Sequence, residues 1–214
     1  MNKMANTTID LLRHGDVAGK SALYGHTDVA LSDDGWQKMQ SQTESLPIPD
    51  VIISSPLSRC YAFAKNTGNT KLIPVQTSND LMECNFGRWD GVAFDDLHGN
   101  LQNEWPLLDA FWQSPSTNTP PQGEALAAMY QRVCKGFTDI CQQYKGQRVL
   151  VVSHGGVIRQ IVASILGIDW QGGDLYQQLS IEYASLTRIV ILDVPNAKPI
   201  LKFIGKPAPL ESQF

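Results

Sequence analysis

Ile9-Asp10-Leu11-Leu12-Arg13-His14-Gly15 is a short, mostly apolar run that stops on an arginine, a histidine and a glycine. That pattern marks the carboxyl end of a buried strand opening onto a site, because ligands of open α/β sheets bind outside the strand ends. A histidine placed there titrates near neutrality. An adjacent arginine biases its imidazole toward the neutral, nucleophilic form. A surface Arg-His turn is the alternative that so short a motif leaves open.

Two further stretches speak against that alternative. Val149-Leu150-Val151-Val152-Ser153-His154-Gly155-Gly156 repeats the design of apolar strand, histidine and glycine. Val51-Ile52-Ile53 has the fully apolar pattern of a central parallel strand, and it leads into Ser54-Ser55-Pro56-Leu57-Ser58-Arg59. In a parallel sheet all three ends face one edge. Two histidines and two arginines gathered there suit a phosphoryl group: guanidinium forks bind its oxygens, and a neutral imidazole can attack phosphorus in line.

The remaining chain alternates in the same way. Asp16 to Leu31 reads as a loop beside the site. Ser32 caps a helix running to about Leu46, and either Ser54 or Ser55 starts the next. A strand is expected over Lys71–Val75, and a long amphipathic helix over Gly123–Tyr144. Another helix runs from His154-Gly155-Gly156 to Gly167, and Leu186–Leu192 with Ile200–Ile204 forms a terminal hairpin. Residues 94–122 are polar with scattered aromatics, a lid-like excursion rather than a separate domain. Trp105, Phe111 and Trp112 could stack there on an aromatic group. The whole reads as one α/β domain over residues 1–214, with a largely parallel sheet.

Composition narrows the partners. With 214 residues and a net charge of -4, a general nucleic-acid or membrane-surface role is disfavoured, and an anionic substrate would need positive charge concentrated in the site. The N-terminal stretch from Met1 lacks the apolar core of a secretory signal, and His154, Arg159 and Gln160 interrupt the most apolar region. Cys60, Cys84, Cys134 and Cys141 form no Cys-x-x-Cys pair, so reduced thiols in a cytoplasmic protein are expected. None has an arginine six positions later, and no His-Glu-x-x-His occurs.

Leu12-Arg13-His14-Gly15, Ser55-Pro56-Leu57-Ser58-Arg59, Glu83-x-Asn85-Phe86-Gly87-x-Trp89-x-Gly91, Gly123-Glu124 and Val152-Ser153-His154-Gly155-Gly156 stand in the order seen in the histidine phosphatase (phosphoglycerate mutase-like) superfamily. The resemblance runs from about Ile9 to Leu192. It implies a three-layer sandwich with a mostly parallel central sheet flanked by helices. It further implies a phosphohistidine on His14, a phosphoryl group held by Arg13, Arg59 and His154, and Glu83 as proton donor. Gly155, Lys20 and Tyr24 become phosphate or substrate contacts, the partner is a small phosphorylated metabolite, and no metal or cofactor is called for.

Tyr24-Gly25-His26-Thr27-Asp28-Val29-Ala30-Leu31-Ser32 and Leu81-Met82-Glu83-x-Asn85-Phe86-Gly87 are most similar to α-ribazole phosphatases of cobalamin assembly. Two positions depart from the wider pattern. Lys20 stands where many members have asparagine. Cys84-Asn85-Phe86-Gly87 follows Glu83 where the mutases have Arg-His-Tyr-Gly, which disfavours a phosphoglycerate mutase. Hydrolysis of another small phosphate ester is the nearer alternative, and a binding module without chemistry is the remaining one.

Overall fold

The β1 strand, Thr7–Arg13, pairs in parallel with β4, Arg148–Ser153, and in antiparallel with β5, Leu186–Ile191. On the far side of β4 lie β2, Val51–Ser54, and then β3, Val75–Thr77, both parallel. The last strand, β6 (Ile200–Lys206), pairs antiparallel with β5, giving the order β3-β2-β4-β1-β5-β6 among the described residues. The computed structural model describes residues 5–99 and 103–209. Met1 to Met4, part of the stretch expected to lack a secretory signal, and residues 100–102 of the excursion lie outside them.

Period-two alternation along the strands sorts the core into two faces. Ile9, Leu11, Ile53, Val149 and Val151 point to one side, against helices α5 (Leu126–Gln143) and α6 (Gly155–Leu166). Leu12, Ile52, Leu150 and Val152 point to the other, against α1 (Asp33–Glu44) and α2 (Ser58–Lys71). This is the expected sandwich: sheet buried on both faces, helices outside. The excursion holds two helices, α3 (Phe94–Gly99) and α4 (Trp105–Gln113), fastened by a separate cluster of Trp89, Leu97, Leu108 and Phe111. A short α7, Asp174–Gln178, precedes β5.

Several boundaries differ from the sequence expectation, each for a local reason. Lys71 ends α2 instead of starting a strand, because Leu72 turns left-handed at φ 56° and its N–H closes on Gly68. The N-cap of α2 is Leu57, neither Ser54 nor Ser55; Asp28 supplies the missing acceptor by taking the Ser58 N–H at 2.7 Å. Helix α5 starts at Leu126 because Gly123 and Glu124 donate their N–H groups to Pro120 and Asn85. Ser32 caps α1 as expected, accepting from the Gly35 N–H at 3.0 Å, though α1 ends at Glu44.

Candidate active site

The carboxyl ends of β1, β4 and β2 lie side by side, and each delivers one motif to the same crevice. His14 leaves β1 with its N–H on the Ser153 carbonyl (2.9 Å) and its carbonyl taking the Ala184 N–H (3.1 Å). Gly15 follows because a Cβ there would stand 2.1 Å from the Gly35 carbonyl oxygen, so nothing larger fits against α1. The His14 ring is 6% exposed. Its Nδ1 lies 2.8 Å from the Gly15 carbonyl, which can only accept; a neutral ring therefore carries its proton on Nδ1 and its lone pair on Nε2. Burial first, then the charges of Arg13 and Arg59, lower its pKa to about 3. The arginines thus act as expected but are secondary to desolvation.

His154, the N-cap of α6, is fully buried. Its ring meets that of His14 edge-on, with centroids 5.2 Å apart. Both nitrogens are occupied: Nδ1 accepts from Arg59 Nε at 3.3 Å, and Nε2 lies 2.8 Å from Ser55 Oγ. Burial, then the neighbouring His14 and arginines, hold it neutral. Arg59 is equally buried, and four of its five N–H groups are taken inside the protein: Nε by His154, Nη1 by Thr27 O, and Nη2 by Tyr24 O and Gly25 O. It ties the 24–27 loop to His154, and one Nη1 N–H has no partner among the described residues.

Glu83 meets the start of α6. Its Oε1 takes the Cys84 N–H and its Oε2 the Gly156 N–H, both at 3.0 Å. Gly156 must be glycine for this approach, since a Cβ would sit 2.2 Å from Oε1. The segment carrying Glu83 is clamped by Arg132, which donates to the carbonyls of Asp80, Met82 and Glu83 and forks onto Glu124 at 2.6 and 2.7 Å. Asp90 fixes the facing loop by accepting the N–H groups of Gly25, His26, Thr27 and Phe86.

Arg13, His14, Tyr24, Glu83 and Gly155 line one cavity of about 320 Å³. His154 and Arg59 stand behind it, outside the lining, and Lys20 is exposed and also outside. The Arg13 guanidinium lies 3.7 Å from the centroid of the Tyr183 ring and donates through Nη1 to the Ile181 carbonyl, while its buried Nε has no partner. Arg159, one helical turn along α6 from Gly155, also reaches the cavity. The outer wall is apolar and aromatic, with Phe86, Phe111, Trp112 and Tyr176. Trp105 does not line it; it packs on Trp112 and His98. Among the described residues no three His, Cys, Asp or Glu side chains are grouped so as to hold a metal.

Residues 9–199 match the model of the histidine phosphatase superfamily (branch 1). The chain belongs to that superfamily. A bifunctional protein of Mycobacterium tuberculosis is 31% identical over 186 residues, 85% of this chain and 49% of its own length, so the chain spans about half of that relative. Phosphoserine phosphatase 1 of Hydrogenobacter thermophilus is 31% identical over 176 residues, 78% of this chain and 81% of the relative. The adenosylcobalamin/alpha-ribazole phosphatase of Escherichia coli is 29% identical over 162 residues, covering 74% and 78%. The solved structure of Bacillus stearothermophilus YhfR superposes with a TM-score of 0.84 at 24% identity, covering 94% of this chain and 98% of that one.

For this histidine phosphatase chain, the motif reading missed Asp90, Arg132, Arg159 and Tyr183. Arg159 was visible only as a charge interrupting an apolar helix. One turn beyond a Gly-Gly helix start, that interruption faces the site rather than solvent. Asp90 and Arg132 carried no signal, because most of their partners are backbone groups on other segments.

Proposed function

We propose that this chain is a phosphomonoester hydrolase that works through a phosphohistidine on His14. The observation that carries the proposal is a neutral His14 ring on the cavity wall, with Nδ1 fixed to Gly15 O and Nε2 left without a partner among the described residues. The Nε2 lone pair attacks phosphorus as the ester P–O bond breaks, and the leaving oxygen takes a proton from Glu83. A water then gives a proton back to Glu83 and attacks the phosphohistidine, releasing phosphate and restoring the Nε2 lone pair. Arg13, the remaining N–H of Arg59 and the N-terminus of α6 balance the charge on the phosphoryl oxygens. His154 acts from behind by holding Arg59 and packing on His14. Gly155 and Tyr24 are proposed as substrate contacts, whereas nothing in its surroundings supports Lys20 in that role. Because those groups supply the positive charge, the reaction is proposed to need no metal or cofactor.

α-Ribazole 5′-phosphate is the substrate we favour. The aromatic wall suits an ester with a flat apolar base, and one relative carries that activity in its name. α4 contributes Phe111 and Trp112 to that wall, which supports the lid-like reading of the 94–122 excursion within one domain. A phosphoserine phosphatase is the second reading, favoured by the relative of that name. Free cysteines fit a cytoplasmic setting. Turnover on a panel of α-ribazole 5′-phosphate, O-phospho-L-serine and phosphoglycerates, with and without exhaustive chelation, tests the proposal. Preferred hydrolysis of the first without a metal is expected. Preference for another ester would reassign the substrate, and restoration of chelated enzyme by a divalent ion would contradict the charge balance.

A further inference from the structure

The four arginines around the cavity differ in how many donors they have left. Arg132 is taken up by Glu124 and three carbonyls, and Arg59 by three carbonyls and His154. Arg13 gives Nη1 to Ile181 and lines the cavity beside His14. Arg159 gives only Nε, to the Leu179 carbonyl at 2.8 Å. Neither of its Nη groups makes a hydrogen bond or ion pair among the described residues, and the side chain is half-buried on the cavity wall. Its Nη1 and Arg13 Nε both come within 3.3 Å of where a Gly155 Cβ would be, so two guanidinium groups stand on either side of that glycine.

Two cations this close repel one another; Glu83 and Glu182 offset part of that charge from a distance, but neither carboxylate makes an ion pair with Arg13 or Arg159 among the described residues. Burial lowers the Arg159 pKa most; Glu83 raises it and Arg13 lowers it, with a net fall. The arrangement favours any ligand that brings acceptors to both. One phosphoryl group at His14 answers Arg13. Arg159 is one turn further along α6 and shares the cavity lining with Tyr176, Phe111 and Trp112.

We infer that Arg159 is a substrate-anchoring residue whose free Nη pair grips two adjacent oxygen acceptors on the leaving group, a vicinal diol or a carboxylate. The inference rests on the phosphatase reading and adds a requirement to it. Apolar surface alone does not define the substrate; the leaving group must also present paired oxygens. An α-ribazole ester would offer its ribose diol, and a phosphoserine or phosphoglycerate its carboxylate.

The test compares wild type, Arg159→Leu and Arg159→Lys on four probes. These are inorganic phosphate, phenyl phosphate (no paired oxygens), α-ribazole 5′-phosphate (diol) and O-phospho-L-serine (carboxylate). Binding is read by calorimetry and turnover by phosphate release, and thermal unfolding checks that each variant is folded. Arg159→Leu should lower kcat/KM for the diol or carboxylate ester at least tenfold more than for phenyl phosphate. Phosphate affinity should fall much less than affinity for that ester. Arg159→Lys should recover little, since an ammonium lacks the planar fork. Whichever ester shows the differential identifies the acceptor pair. Equal losses on all four probes would place Arg159 in the phosphoryl pocket and overturn the inference, as would no loss on any. An unfolded Arg159→Leu leaves the test to Arg159→Lys, where the same differential is required. Binding of the esters without turnover by wild type would instead defeat the phosphatase reading while the affinity comparison still decides Arg159.

Discussion

His14 and His154 follow the same kind of apolar strand and precede the same residue, glycine, yet they are wired differently. His14 has one nitrogen fixed by its own chain and one open to the cavity; His154 has both nitrogens occupied and no face on the cavity. The strand register brings the two to neighbouring positions at one sheet edge, and their hydrogen bonds then leave a ring nitrogen open on His14 and none on His154. A shared sequence pattern therefore gives place, whereas role comes from which lone pair is left unpartnered.

Alanine at either position tests that contrast. His14→Ala should abolish turnover, since no other group on the cavity wall offers an unpartnered imidazole nitrogen. His154→Ala should leave a measurable rate, lowered by about a hundredfold, the scale of a misplaced reacting group. Equal abolition by both, in steady-state assays of folded protein, would remove the distinction.

Glu83→Gln sharpens it from the proton side. It should cost on the order of a hundred- to ten-thousand-fold on alkyl phosphates, the usual span for general acid catalysis. The loss should be far smaller on p-nitrophenyl phosphate, whose leaving group needs little protonation. Parallel losses on both would mean that Glu83 positions rather than protonates.

The smallest effect is on stability. Folded His14 titrates at about 3, while an unfolded histidine titrates near 6.5, so between those values the unfolded chain binds the extra proton. Stability should therefore fall as pH drops through that window, by up to about 1.4 kcal/mol per pH unit from this residue. Denaturant unfolding of wild type and His14→Asn between pH 6.5 and 4.5 should show a shallower pH slope in the variant. An unchanged slope would mean that His14 is not held neutral.

Much of this arrangement was legible in the sequence. Apolar runs ending in His-Gly announce buried parallel strands and their open ends, and Gly167 does end α6 in the left-handed region at φ 65°. Boundaries failed where a remote group overrode a local preference, as when Asp28 rather than a serine met the start of α2. Arg59 was expected to present its fork to the phosphoryl group. Instead most of that fork meets loop carbonyls, whose approach no local pattern encodes. The same holds for Tyr183, which reaches Arg13 from a turn before β5, more than 160 positions away along the chain.

The central claim is that the open nitrogen of His14 carries the phosphoryl group. Rapid quench of wild-type enzyme during turnover of a ³²P-labelled ester, under conditions that preserve phosphohistidine, followed by peptide mapping, tests it most directly. Label should appear on the peptide containing His14, reach a steady level before phosphate release does, and vanish in His14→Ala. Label on the His154 peptide, or turnover in wild type with no labelled histidine at any time, would contradict the account.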